Sequence, residues 1–139
     1  SPDGAWIAFV SDRAGSPQIY SLEVATGRVK RLTYEGSYNT TPAWSPRGDR
    51  IAYAGSIDGR YNIFITTPDG QLHQQITGRE GNNEDPAWSP DGRFLAFCSS
   101  RSGQKDIYIM RSDGSGQKKI TLGKGDKVEP SWSPSGLNQ

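Results

Sequence analysis

Cysteine is nearly absent from this chain. The single residue Cys98 rules out a framework of intrachain disulfides. Histidine is equally scarce, and one imidazole, His73, leaves little room for acid–base or metal chemistry built on that side chain. No apolar run approaches the ~20 residues of a membrane-spanning helix. Sustained helical periodicity is missing as well. Charge of one sign is also lacking, since 16 basic residues face 15 acidic ones. No global field therefore points to nucleic acid or to a membrane surface. Zinc spacings, phosphate-binding glycine loops and paired-cysteine motifs do not occur.

What is abundant is punctuation. With 17 glycines and 9 prolines among 139 residues, and 32% hydrophobic residues, the composition suits an all-β chain with many turns. The punctuation is periodic. Pro42-Ala43-Trp44-Ser45-Pro46 returns as Pro86-Ala87-Trp88-Ser89-Pro90 and as Pro130-Ser131-Trp132-Ser133-Pro134, each time after 44 residues. A Ser-Pro-x-Gly element starts at Ser1, Ser45, Ser89 and Ser133 in the same register. Inside the repeat, Ile7, Ile51 and Leu95 align, as do Phe9, Tyr53 and Phe97. Ile19-Tyr20, Ile63-Phe64 and Ile107-Tyr108 follow, and Leu32-Thr33, Ile76-Thr77 and Ile120-Thr121 close the pattern.

Each repeat reads as four short strands. Trp6–Val10, Ile51–Ala54 and Leu95–Cys98 form one set, and Ile19–Val24, Ile63–Thr66 and Ile107–Met110 another, both rich in β-branched and aromatic residues. Ser-Pro-Asp-Gly suits a type I turn, with Pro at its second position and Gly at its fourth. Four strands in 40–45 residues is the signature of a propeller blade. The expected fold is therefore all-β, with three blades at about 1–41, 42–85 and 86–129 and a closing strand at 130–134. The repeated tryptophans are read as packing between blades rather than as ligand platforms. Trp6 falls outside their register but is read the same way. Cys98, aligned with Val10 and Ala54, is read as a small core thiol.

These motifs resemble the TolB-type propeller repeat. That repeat carries a Pro-Ala-Trp-Ser-Pro-Asp-Gly core, standing here at 86–92 with variants at 42–48 and 130–136. An Ile-Ala-Phe strand, a Ser-Asp-Arg-x-Gly turn and an Ile-Tyr strand follow in the family and stand here at 7–9, 11–15 and 19–20. The resemblance spans the whole chain and implies the C-terminal half of a six-bladed ring. It further implies a periplasmic protein of the Tol–Pal cell-envelope system that binds the peptidoglycan-associated lipoprotein, with neither enzymatic activity nor cofactor.

The sequence starts inside a repeat, so further residues are expected upstream. On the propeller reading, the first blade lacks its innermost strand and 130–134 lacks its three outer partners. The ends are complementary, and two copies are expected to complete one ring with two-fold symmetry.

Catalysis finds no converging residues. His73 aligns with Val29 and Gln117 and is read as solvated. Ser115-x-x-Lys118 and the sequon Asn39-Thr40-Thr41 are read as coincidence. Glu80, Glu84 and Asp85 with Asn82 and Asn83 form the best candidate for an ion, but their spacing matches no calcium loop, and a solvated loop is preferred. Two alternatives stay open on sequence grounds: the regulatory propeller of a prolyl-oligopeptidase-like serine peptidase, and a propeller that binds a small ligand, a carbohydrate or an ion, in its channel. The expected partner-binding residues lie in the loops where the repeats diverge, which emerge on one face. They are Tyr38, Asn39, Arg60, Tyr61, Asn83, Glu84, Asp85, Arg101, Lys105 and Lys127.

Overall fold

The computed structural model describes residues 1–78 and 80–134. Eleven strands form among them: β1 (Trp6–Ser11), β2 (Gln18–Glu23), β3 (Val29–Arg31), β4 (Tyr38–Trp44), β5 (Ile51–Ile57), β6 (Arg60–Thr66), β7 (His73–Gln75), β8 (Asn83–Trp88), β9 (Phe94–Ser99), β10 (Asp106–Arg111) and β11 (Lys118–Lys119). They build three antiparallel meanders. The first has the order β1-β2-β3, the second β4-β5-β6-β7 and the third β8-β9-β10-β11. The first sheet has three strands where the others have four, as expected if its innermost strand is missing. Residues 130–134 form no ladder within the chain. A ladder needs a partner strand, and this segment pairs with none among the described residues.

The turn chemistry explains the punctuation. Gly4, Gly48 and Gly92 each donate their N–H to the carbonyl three residues back, on Ser1, Ser45 and Ser89, at 2.9–3.0 Å. The fourth Ser-Pro-x-Gly element runs into residues 135 and 136, outside the described residues. Gly114 is held by a different need. Its φ is +89°, and a Cβ there would lie 2.5 Å from the carbonyl oxygen of Ile76, so the third sheet's outer hairpin touches the backbone of the second.

The sheets stack face to face. Ile19 and Leu32 of the first pack with Ile51, Tyr53 and Phe64 of the second. Ile63, Ile65 and Ile76 of the second pack with Leu95, Phe97, Tyr108 and Met110 of the third. Full burial of one such aliphatic side chain contributes about 1.5–3 kcal/mol. The two ends of the stack lack a neighbour. Ile7 is 51% exposed while its counterparts Ile51 and Leu95 are 0% exposed, and Ile120 is 50% exposed while Ile76 is 7% and Leu32 0%.

The inner strands share one irregularity. Pairing shifts between Thr40 and Ala43 in β4 and between Glu84 and Ala87 in β8, marking a β-bulge in each. Thr41, Asp85 and Glu129, each followed by proline, adopt φ of 48°, 54° and 54°. A left-handed conformation is uncommon for such residues, and Thr41 is β-branched besides. Its recurrence at one position of every repeat makes it a feature of the scaffold.

Candidate protein-interaction face

The meander order brings two kinds of loop to the same end. One is the hairpin between the second and third strands of a blade, and the other is the connector that enters the next blade. Backbone bonds join them: Asn39 N donates to Pro17 O at 2.9 Å, and Lys127 N donates to Lys105 O at 2.8 Å. Tyr61 N likewise donates to Asn82 Oδ1 at 3.1 Å.

The middle hairpin differs from its neighbours. Its tip, Asp58-Gly59, has positive φ at both residues, 53° and 76°, and the strands run in unbroken register to Ile57 and Arg60. That is the two-residue primed turn favoured by Asp-Gly. In the first and third sheets the corresponding segments open into longer loops.

The residues expected to bind a partner separate into distinct settings. Tyr38 and Tyr61 meet edge to face, with centroids 6.0 Å apart and planes at 82°. Tyr38 is 43% exposed. Burial, then the nearby Tyr38 and Glu84, push the Tyr61 hydroxyl above its ordinary pKa. Glu84 accepts from Lys105 Nζ at 3.1 Å, both side chains being partly exposed, and this bond raises the lysine. Arg60 stands at the tip of the middle hairpin. Asp85 sits on the bulge of β8. Its carboxyl is raised by burial, against an opposing hydrogen bond from the Glu129 backbone.

The others are built into the scaffold. Asn39 and Asn83 are 3% and 0% exposed, so their side chains lie within the face rather than project from it. Each belongs to a polar knot repeated in every blade. Thr33 Oγ1 donates to Gln18 Oε1 at 2.7 Å, Thr77 Oγ1 to Asn62 Oδ1 at 2.8 Å, and Thr121 Oγ1 to Asp106 Oδ1 at 2.9 Å. The same hydroxyls accept from the backbone N–H of Ile19, Ile63 and Ile107 at 2.9–3.0 Å. The third member donates to the first: Asn39 to Gln18 at 2.8 Å, Asn83 to Asn62 at 3.2 Å, and Lys127 to Asp106 at 3.2 Å. Each knot ties an outer strand, a middle strand and the entry to the next blade.

In the third blade the amides have become charges. Asp106, 0% exposed, also receives Lys119 Nζ at 2.7 Å. This lysine, followed by the bonds from Ser102, Thr121 and Lys127, holds the carboxyl well below the usual range despite burial. Lys127 is thus engaged with a buried partner rather than free at the loop. The members at 18, 62 and 106 went unnoticed in the sequence because Gln, Asn and Asp look unlike one another. Their 44-residue spacing was the available signal.

Arg101 is also internal. It donates to Asn83 Oδ1 at 2.9 Å, to Gln117 Oε1 at 2.7 Å and to Ser99 Oγ at 2.9 Å, and lies over the rings of Phe97 and Tyr108.

His73 accepts from the Tyr53 hydroxyl at 2.9 Å through Nδ1, because its Nε2 faces Gly70 O at 3.2 Å and must carry the proton. Cys98 is buried, and desolvation pushes its thiol up to about 11. Among the described residues, no group of three or more His, Cys, Asp or Glu is placed to hold a metal ion.

Comparison with known proteins places the fold. A family model described as TolB beta propeller domain matches residues 1–77 and 39–138. The structure of a putative TolB from Agrobacterium tumefaciens superposes with a TM-score of 0.91 at 36% identity, covering 98% of this chain and 49% of that one. TolB from Acinetobacter baumannii gives 0.85 at 32% identity, covering 97% and 34%. The Tol-Pal system protein TolB of Francisella tularensis subsp. mediasiatica (strain FSC147) is 38% identical over 79 residues, 55% of this chain and 18% of its own length. The chain therefore spans less than half of the length of each of these relatives. The three stacked meanders are blades of a β-propeller.

Proposed function

We propose, from the premise that this chain belongs to the TolB β-propeller family, that it is a non-catalytic protein-interaction module of a periplasmic Tol–Pal propeller. Its partner on this reading is the peptidoglycan-associated lipoprotein. The observation that carries the reading is the pair of exposed Tyr38 and half-buried Tyr61 beside the Glu84–Lys105 ion pair. Tyrosine supplies rigid, amphipathic contact area of the kind enriched at binding hot spots, and the flanking charges steer encounter. The scaffold below repeats in all three blades, whereas this cluster occurs once.

Calorimetric titration of the chain with the soluble domain of the lipoprotein tests the proposal. Saturable binding is expected, weakened about 30-fold by Tyr61→Ala if the ring supplies a hot spot of about 2 kcal/mol. Lys105→Glu and Arg60→Ala are expected to slow association more than they hasten dissociation. Absence of binding by the parent chain overturns the assignment of partner.

The reading extends to assembly. We infer that two copies of this chain associate through their end faces, Ile7 of one against the Ile120 side of the other. The two internal interfaces bury the counterparts of both residues in that same pairing.

A further inference from the structure

The three repeats supply an internal control for every surface position, and one position breaks the pattern. Arg13 and Arg101 occupy equivalent places in the first and third blades. Each lies over a stacked or tilted aromatic pair. Arg13 Cζ is 5.5 Å from the Phe9 centroid and 4.9 Å from that of Tyr20. Arg101 Cζ is 5.5 Å from Phe97 and 4.7 Å from Tyr108. Each Nε donates to a serine two residues earlier, Ser11 at 3.0 Å or Ser99 at 2.9 Å.

The middle blade keeps the platform and loses the cation. Tyr53 and Phe64 stack with centroids 5.5 Å apart at 17°, close to the geometry of the other two pairs. Ile57 stands at the arginine position and Gly55 at that of the serine. A cavity of about 430 Å³ opens there, and its walls include Tyr53, Phe64, Asn39, His73, Ile57 and Glu35. Four of these correspond one by one to the residues that hold Arg101. Tyr53 and Phe64 replace Phe97 and Tyr108, Asn39 replaces Asn83, and His73 replaces Gln117.

We propose that this cavity is a receptor for one arginine side chain presented by a protein partner. The guanidinium would lie over Tyr53 and Phe64, as two of the chain's own arginines do in the neighbouring blades. A planar, weakly hydrated guanidinium suits an aromatic face and a fork of acceptors, whereas an ammonium suits neither as well. Asn39 supplies the carbonyl acceptor that Asn83 offers to Arg101. The Tyr53 hydroxyl donates its proton to His73 and keeps acceptor capacity for a further donor. Glu35 adds a carboxylate near enough to Tyr53 to raise its hydroxyl further, after burial. The rim also carries Arg31, held over Tyr34 at 4.5 Å and bonded to Thr33 O at 2.6 Å.

The proposal rests on the reading of this face as a docking surface, because the tip of the middle hairpin and the Tyr38 connector border the cavity. It names the chemistry of one contact within that surface.

The experiment uses small probes so that it does not depend on the lipoprotein. Backbone amide spectra of the isotope-labelled chain are recorded during titration with N-acetyl-arginine amide, and separately with N-acetyl-lysine amide. The arginine probe is expected to shift the amides of Thr33, Asn39, Ile57 and His73 in a saturable way, with the lysine probe giving at most a third of the shift at equal concentration. Ile57→Arg, at a position already 42% exposed, is expected to fill the cavity from within and abolish the response. Glu35→Gln should reduce it several-fold without altering the fold. Equal shifts from both probes, shifts scattered over the surface, or an undiminished response in Ile57→Arg would each overturn the proposal. If the probe binds as expected while the lipoprotein does not, the arginine receptor stands and the identity of the partner falls. The opposite pair of results removes the receptor alone.

Discussion

The indole of Trp88 donates to the carbonyl oxygen of Ala43 at 2.9 Å, so the inner strand of the third sheet hangs on that of the second. Trp132 makes the same bond to Ala87 O at 2.9 Å. Segment 130–134 therefore occupies an inner-strand position although it pairs with no strand. Trp44 reaches only its own turn, Gly48 O at 3.4 Å. Trp44 thus makes the longest of the three bonds, where the preceding inner strand would stand.

Trp88→Phe tests this bond with little change in shape. It removes the N–H and leaves the Ala43 carbonyl without its donor, a loss of about 1 kcal/mol. Urea denaturation should show a lower midpoint at unchanged slope. Trp44→Phe, losing a longer bond, should cost measurably less.

Thr77→Val probes the polar knot of the middle blade. The hydroxyl links Ile63 N to Asn62 Oδ1, and all three groups are buried. Valine keeps the volume, orphans the Ile63 N–H and leaves Asn62 Oδ1 with the Asn83 amide as donor, for an expected cost of about 2 kcal/mol. Thr77→Ser retains the hydroxyl and should recover most of that loss, which separates the hydrogen bonds from packing of the methyl group.

Asp106 gives the fold an acid limit. Its carboxyl is held below the ordinary value of 3.8, first by Lys119. In that case the unfolded chain binds the proton more readily than the folded one. The stabilisation is present above pH ~4 and drains away as pH falls toward the native value. Asp106→Asn should flatten stability against pH below ~4 and lower it at neutral pH, because Lys119 and Lys127 would lose their carboxylate. Denaturation midpoints measured between pH 2 and 7 report both effects.

Much of the fold was legible because packing repeats. Ile51 and Leu95 meet the same neighbours, so the same residue type recurs, and the period of the repeat exposes the blade. The interior strands were read short at the hairpin side. Regular pairing in the middle blade extends to Ile57 and Arg60, since Asp58-Gly59 makes a tight primed turn there. The binding face was less legible. Asn39 and Asn83, expected in diverging loops, stand at the starts of β4 and β8, and they and Arg101 turn their side chains inward to satisfy buried groups. A loop position records where the backbone runs and says little about where the side chain points. Asn83 looked like surface for the further reason that its neighbours Glu80, Glu84 and Asp85 are charged. Ile57 passed unnoticed because a lone isoleucine at a hairpin tip signals nothing until Arg13 and Arg101 are seen to act alike.

Association of two copies can be tested at the faces themselves. The leading face of the first blade presents Ile7, and the trailing face of the third presents Ile120, both about half exposed. In the interior, Ile51 and Leu95 on leading faces and Leu32 and Ile76 on trailing faces are buried. An end-to-end pair of chains would bury both exposed residues in the environment their counterparts already have. A charge at either face would have to be desolvated against apolar neighbours, at a cost of several kcal/mol. Sedimentation velocity at micromolar concentration should therefore show a dimer for the parent chain, and monomers for Ile7→Asp and for Ile120→Asp. A mixture of the two variants should stay largely monomeric if both contacts of the ring must form together, because every pairing then contains at least one charged junction. Ile57→Asp, at a residue somewhat less exposed and on the loop face, should leave the dimer intact. A monomeric parent chain would refute the assembly, and a dimer indifferent to both end-face charges would move it to another surface.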